Sequence, residues 1–483
     1  MNEDQLLTRV VRNSLWLFNA SVIVRLFNLV RGIVLARLLV PDDFGVFGLA
    51  LVVIGFAEMF SDVGASVSLI YKQKSTDEKY TDTAFWVNVG VATLLTSFVA
   101  SISPLISNLY KRPELVPVLI VLSLSLWLQI NSNIFRNILR RDLKFYPIAI
   151  SEVVVSILSF TLAMYLALNN YGVWALVLSV LFGNVINLFL LCFFSKWLPT
   201  FCFSKSSLKE LIPFSGYYLA SAIVSYLVLN TDKILIGKLL DISSLGLYVV
   251  AYNFAMVSIT IFATPLGNVL FPELARLHGD MPQFWKSFFH TSRLLVGSVC
   301  PLAWVLIISA NDFFPLVFGA KWNEAILPFQ IIAFYVMVRC LWSDPFLALG
   351  RFDLSLYLGL ITLIFNFFGI LIGIKYGIVG VAIAILIVMG GSHLTSIYVV
   401  SKSFNRVVEG FKNALPYFLA AFCGALIALG LRHFVLMHIS ENKILLTLIS
   451  GSTIFVVYFI FFKDQVIKIF KTVLIKAKEK EAS

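Results

Sequence analysis

The 483 residues carry 37 Lys and Arg against 26 Asp and Glu, a formal net charge of +11, yet only 13% of the chain is charged and 59% is hydrophobic. Soluble domains carry about 25% charged residues, so this composition, with a mean hydropathy of +0.92, excludes an ordinary soluble enzyme and a polar nucleic-acid-binding module. Apolar runs long enough to cross about 30 Å of hydrocarbon as helix follow one another from end to end. In chain order they predict spans at 14–39, 44–70, 83–106, 115–135, 148–168, 173–194, 214–239, 244–270, 289–309, 326–348, 354–374, 378–400, 414–432 and 444–462. The runs lack the alternation of barrel strands, and an open sheet cannot satisfy its backbone in lipid. The predicted fold class is therefore an all-α integral membrane protein of about 14 transmembrane helices. The first run carries Arg25 and Arg31 and no small-residue cleavage site follows it, so it reads as a retained helix and not a signal peptide.

The positive charge is distributed by side. With a cytoplasmic N-terminus, 25 Lys and Arg fall on the inner side, 8 outside and 4 within helices, as the positive-inside rule expects. Both termini are then cytoplasmic. No basic stretch is interleaved with aromatics on a polar module, so nucleic acid is not an expected partner. Cys192, Cys202, Cys300, Cys340 and Cys423 are scattered without a CxxC or a histidine pair, and neither a metal site nor a cofactor is expected.

Residues 14–65 align without a gap to 215–266, an offset of 201. Ser14 matches Ser215, Leu26 matches Leu227, Gly45 matches Gly246 and Ala50 matches Ala251, while Phe47 faces Tyr248 and Arg31 faces Asp232. Six predicted helices separate the two starts, so the copies share one orientation and relate by an axis along the membrane normal. The expected domains are an N-lobe at 1–194, a linker at 195–213 with an amphipathic look, a C-lobe at 214–400, and an accessory helix pair with a basic tail at 401–483. Gly64 falls opposite Pro265, which marks both second helices with a helix-weakening residue at one depth and makes the two a candidate hinge.

Several segments, in order along most of the chain, carry a family resemblance: "VLARLLVPDDFGVFGLA", "FSDVGASVSLIYKQ" with "TAFWVNV", "RNILRRDLKF", "YGVWALV", "TDKILIGKLLDISSLGLYVVAYNF", "VLFPELARL" and "FGAKWNEAILPF". The chain resembles the Wzx-type polysaccharide transporter family of the multidrug/oligosaccharidyl-lipid/polysaccharide superfamily, in its colanic-acid-exporter-like branch. The resemblance implies a fold of two six-helix lobes shared with drug/cation antiporters of the MATE type and peptidoglycan-precursor flippases of the MurJ type. It implies a flippase of the bacterial plasma membrane that carries undecaprenyl-diphosphate-linked oligosaccharide from the cytoplasmic to the outer leaflet. Polymerase and chain-length proteins are the protein partners to look for, and a monomer is expected because two lobes already supply both sides of a pathway. The sequence departs from the family pattern at Asp241, where a glycine is usual, which touches only a local turn.

An arginine at a helix centre costs about 2.5–3.5 kcal/mol on insertion scales, so a retained one faces a cavity, a partner or water. Arg25, Asn28 and Arg31 form one polar stripe at helical spacing. One reading is a cationic lining for the diphosphate, which arginine clasps in bidentate fashion. The other is an ion pair of Arg25 with Asp62 or Glu58. Arg31 and its mate Asp232 fall at equal depth across the axis, which suggests a pair that closes and opens with an outer gate, unless Lys233 takes the Asp232 carboxylate locally. Arg339 and Asp344 read as a cluster around Pro345, Glu152 as a partner of the "RNILRR" loop, and His393 as a packing histidine or a titrating group.

Two alternatives stay open. A multidrug antiporter of the superfamily would use an acidic cavity, yet no carboxylate lies between Asp4 and Asp42. A polymerase or ligase would need a large catalytic outer loop, whereas the longest, near 310–325, offers only Asp312, Lys321 and Glu324. No catalytic role is expected.

Overall fold

A computed structural model describes residues 23–61, 78–202, 204, 216–277, 280–340, 349, 351–404, 407–438, 444–460 and 462, and every described element is helical. The helices are α1 (23–38), α2 (Pro41–Glu58), α3 (Glu78–Tyr110), α4 (Leu115–Arg141), α5 (Phe145–Leu168), α6 (Val173–Ser195) and α7 (Gly216–Leu239). They continue as α8 (Ile242–Arg276), α9 (Met281–Val317), α10 (Ile326–Cys340), α11 (Phe352–Gly373), α12 (Gly377–Phe404), α13 (Val407–His438) and α14 (444–460). Nine segments among the described residues are long and apolar enough to cross a membrane, one of which, Asp353–Ser396, takes in parts of both α11 and α12.

The turns between helices are set by local chemistry. Pro41 begins α2, where its missing N–H is one the helix would leave unpaired anyway, and the Asp43 carboxylate accepts from the Val40 N–H at 3.1 Å. At the equivalent turn before α8 the cap is reversed. Asp241 precedes the first residue of the helix, and its carboxylate accepts from the Ser244 N–H at 2.8 Å and the Ser244 hydroxyl at 2.9 Å, as an N-cap aspartate does. The departure from the family pattern at Asp241 thus leaves a well-capped turn. Gly172, in the motif "YGVWALV", has φ +54° and opens α6, a left-handed backbone for which glycine has no steric cost.

The chain packs as two units, residues 1–250 with 351–384, and residues 251–350 with 385–483. Packing does not group the helices as sequence ancestry does, since α7 and the start of α8 belong with the N-terminal helices. The reason is a close crossing of the two repeat copies inside unit 1. A Cβ added to Gly45 would lie 1.9 Å from the carbonyl oxygen of Ile242, and one added to Gly246 would lie 1.8 Å from the carbonyl oxygen of Pro41. Pro41 and Ile242, like Gly45 and Gly246, are mates at the offset of 201. One turn on, a Cβ on Gly48 would meet Cγ2 of its own mate, Val249, at 2.9 Å. The contact is therefore reciprocal, as expected of two copies related by a twofold axis, and only residues without a side chain admit it.

Around this crossing, α1 packs on α5 and α6 through Leu35, Leu39, Ala163, Leu166, Ala167 and Leu176. Helix α11 lies along α7, where the buried Asn366 amide donates to the Val228 carbonyl at 3.0 Å and Ser221 donates to Ser355 at 3.3 Å. The first residues of the linker are pinned to α3. The buried Asp82 carboxylate accepts from the Thr200 N–H at 3.0 Å and from its hydroxyl, Trp86 Nε1–H donates to the Thr200 carbonyl at 2.8 Å, and the Trp86 and Phe201 rings stack at 4.7 Å.

In unit 2, α13 and α14 have no counterpart in the repeat and pack against α9 through Trp304, Val305, Ile308, Ala425, Ala428 and Ile454. Their anchor is ionic. Arg432 Nη1 lies 2.7 Å from Asp312 Oδ2 and donates to the Ile308 carbonyl at 2.9 Å, with side chains only 15% and 9% exposed. Asp312, which as an outer-loop carboxylate was a catalytic candidate to weigh, is thus occupied in packing. Removing one partner of a buried pair strands the other charge, at about 3–5 kcal/mol. Arg432→Ala should lower the melting temperature in detergent clearly, and Asp312→Leu with Arg432→Met should recover most of the loss; equal melting curves for wild type and Arg432→Ala would refute the anchor.

Candidate functional site

Helix α1 presents Arg25 and Arg31 half-buried and Asn28 exposed. Arg31 Nη2 donates to the hydroxyl of Ser179 on α6 at 3.1 Å, and that buried hydroxyl donates to the Leu176 carbonyl at 2.8 Å. None of the ion pairs among the described residues includes Arg31. A guanidinium has five donors, and one neutral hydroxyl leaves its charge uncompensated within the described protein.

Asp232 on α7 is 2% exposed. Its carboxylate accepts from the Tyr248 hydroxyl of α8 at 2.7 Å and from the Lys233 N–H at 2.8 Å, while Lys233 Nζ donates to Asn230 Oδ1 at 2.9 Å. Arg31 and Asp232 therefore form no ion pair here, and the Lys233 ammonium turns to Asn230. The partner that sequence reasoning missed is Tyr248. Its signal was present in the repeat, where Phe47 of the first copy becomes Tyr248 and so gains a hydroxyl in the same copy that carries the carboxylate.

A second polar group joins α2, α4 and α7. Gln129 Nε2 donates to Glu58 Oε1, the Tyr226 hydroxyl donates to the Val52 carbonyl at 2.7 Å, and the Phe56 and Tyr226 rings are 6.1 Å apart. Tyr226 is the repeat mate of Arg25, so equivalent positions carry a cation in the first copy and a phenol in the second. Asp62 and Gly64 lie outside the described residues. Pro265 lies within α8. At the inner end, Glu152 Oε1 meets Arg136 Nη1 at 2.9 Å, which pairs that carboxylate with the "RNILRR" segment as the sequence suggested. No group of three His, Cys, Asp or Glu side chains among the described residues is arranged to hold a metal ion.

A family model described as "Polysaccharide biosynthesis protein" matches residues 34–327. The chain belongs to this family. It is 26% identical to the lipopolysaccharide biosynthesis protein WzxC of Escherichia coli K12 over 404 residues, covering 82% of this chain and 81% of that one. It is 24% identical to the succinoglycan biosynthesis transport protein ExoT of Rhizobium meliloti over 316 residues, covering 65% and 64%. Its fold matches the lipid II flippase MurJ in an inward closed conformation, with a TM-score of 0.70 and 18% identity over 93% of this chain and 99% of that one. The expected all-α, MurJ-like membrane fold is the fold observed, and the chain is a multi-pass membrane transporter of the polysaccharide biosynthesis class, not an enzyme.

A hydrogen bond to a charged group contributes about 1.5–3 kcal/mol, so Tyr248→Phe should lower the melting temperature, and Asp232→Asn should be less harmful in that background than alone. Strictly additive effects in this double-mutant cycle would separate the two residues.

Proposed function

We propose that this chain is a flippase that carries undecaprenyl-diphosphate-linked oligosaccharide from the cytoplasmic to the outer leaflet of the bacterial plasma membrane, with both termini cytoplasmic. The observation that carries the reading is Arg31, a half-buried cation of the first helix held only by a neutral serine among its described contacts. In a polysaccharide biosynthesis chain, an unneutralised guanidinium inside the membrane suits a diphosphate, which it can grip by two parallel hydrogen bonds. Arg25, Asn28 and Arg31 line the anion path, and the polyprenyl tail stays in lipid beside it.

The crossing at Gly45 and Gly246 serves as the closed outer gate. Both glycines sit at the outer ends of α2 and α8 in this orientation, next to the turns that lead out of α1 and α7. Asp232 and Tyr248 brace α7 against α8 beneath it, with Lys233 on the adjoining position. Gly64 and Pro265, matched in depth by the repeat, are the hinges proposed for opening.

Outward movement of a group of charge about −2 down an inside-negative potential releases roughly 4.6 kcal/mol at 100 mV, from about 2.3 kcal/mol per charge. The potential alone therefore biases the flip. In proteoliposomes loaded with a labelled undecaprenyl-diphosphate oligosaccharide, leaflet exchange should accelerate when an inside-negative potential is imposed at constant pH. Arg25→Ala should slow it about tenfold or more, the effect of one lost charge-assisted contact. Exchange that ignores the potential would refute the electrostatic drive, and transport of cationic dyes with no exchange of any diphosphate-linked glycan would assign the chain to drug export.

A further inference from the structure

Unit 2 holds a membrane-embedded cation that the reading of α1 does not use. Arg339 lies in the last turn of α10, 13 residues from its start and so about 20 Å along the helix at 1.5 Å per residue. His393 is 16 residues into α12, or about 24 Å by the same rise, and Tyr252 is ten residues into α8, or about 15 Å. Each depth falls within a hydrocarbon layer of about 30 Å, away from the charged loops.

These residues converge. Arg339 follows Tyr335 by one turn of α10, its Nη1 lies 4.0 Å from Met256 Sδ one turn beyond Tyr252 on α8, and it is an electrostatic neighbour of Tyr335, Tyr252 and His393. The fully buried Tyr335 ring lies 6.3 Å from the His393 imidazole, tilted by 30°. Among the described residues no ion pair includes Arg339, whereas Arg432 of the same unit is paired with Asp312. Arg339 and His393 are half-buried, so the group is not sealed inside protein.

The bland account of such an arginine is a helix C-terminal cation lying on an aromatic ring, favoured by the macrodipole and by the ring face. That explains Arg339 and Tyr335 and leaves His393 and Tyr252 without a reason. A neutral imidazole beside a guanidinium still offers one N–H donor. A forked guanidinium, an imidazole N–H and two phenolic hydroxyls together form the donor set of an oxyanion site.

We propose that Arg339 and His393, flanked by Tyr335 and Tyr252, bind an oxyanion in unit 2. This deepens the flippase reading and rests on it, since the cargo then meets a second anion site beyond the stripe on α1. A phosphate of the lipid diphosphate, a carboxylate of an acidic sugar and the headgroup of an anionic phospholipid share the required chemistry.

The test uses the full chain in nanodiscs of zwitterionic lipid, with farnesyl diphosphate as the probe and farnesol, glucuronate and added phosphatidylglycerol as the comparison arms. The His393 resonance, assigned through His393→Gln in protein carrying ring-labelled histidine, should shift with farnesyl diphosphate and not with farnesol. A shift with glucuronate or with phosphatidylglycerol in its place would keep the oxyanion site and reassign its source. Arg339→Gln should weaken the response about tenfold or more, and Arg339→Lys should restore it only in part because the fork is lost. Asp344→Asn should leave it unchanged or stronger; a loss equal to that of Arg339→Gln would mean that Arg339 serves an ion pair within its own segment and would overturn the site. No His393 shift with any anion would overturn it as well. In that case potential-driven glycan exchange that Arg25→Ala still slows leaves the flippase reading standing, whereas no exchange at all removes that reading too.

Discussion

Two backbones cross at the start of α2 and the start of α8 so closely that neither Gly45 nor Gly246 can carry a Cβ. Helix packing normally keeps axes 8–10 Å apart, at a distance set by side chains; here the side chains are absent by sequence and main chain touches main chain. In unit 1 the two repeat copies meet at that contact. It draws α7 into the N-terminal bundle, where α11 follows it through Asn366 and Val228, and it fixes the turns at Val40–Pro41 and Asp241–Ile242 by two different caps that achieve one geometry. A contact that is tight, reciprocal and free of rotamer adjustment is either made or broken, which is the property a gate requires.

The electrostatics follow a second rule. Among the described residues four carboxylates in or beside the membrane spans are committed to protein partners: Asp232 to Tyr248, Glu58 to Gln129, Asp312 to Arg432 and Asp82 to Thr200. Two intramembrane cations, Arg31 and Arg339, are held by neutral groups among the described residues. In the proposed flippase reading, cations left over among the described residues attract an anionic cargo by Coulomb interaction in a medium of low dielectric.

Much of this was legible in the residues. Length and hydropathy mark the helices because lipid permits little else, and the ungapped offset of 201 identifies the mates that turn out to touch. What the alignment could not convey is that Gly45 and Gly246 matter for absent atoms, since an identity between glycines reads the same whether the position is open or crowded. The Arg31 and Asp232 pairing drawn from equal depth fails here for a related reason: depth along a helix says nothing about azimuth, and Ser179 and Tyr248 lie closer. Tyr248 was visible only as a phenylalanine-to-tyrosine difference between copies, whose meaning needs the carboxylate one helix away. Of the three residues grouped with Arg339, only Tyr335 shares its helix, four residues earlier; Tyr252 and His393 come from two other helices, and no periodicity could have brought those in. Asp62 and Gly64 fall outside the described residues, and their roles stay with the sequence argument.

The most direct measurement is the distance between the two repeat copies at the crossing, by pulsed electron resonance in nanodiscs. Spin labels at Asp42→Cys and its mate Ser243→Cys, in a background where the five native cysteines are serine, report on the turns that bear the glycines. A closed outer gate at Gly45 and Gly246 predicts one short distance at rest, a second longer population with an undecaprenyl-diphosphate oligosaccharide, and the longer population without cargo in Gly246→Ala. A single unchanged distance in all three samples, with glycan exchange intact, would show that the crossing is a fixed joint and that the pathway opens elsewhere.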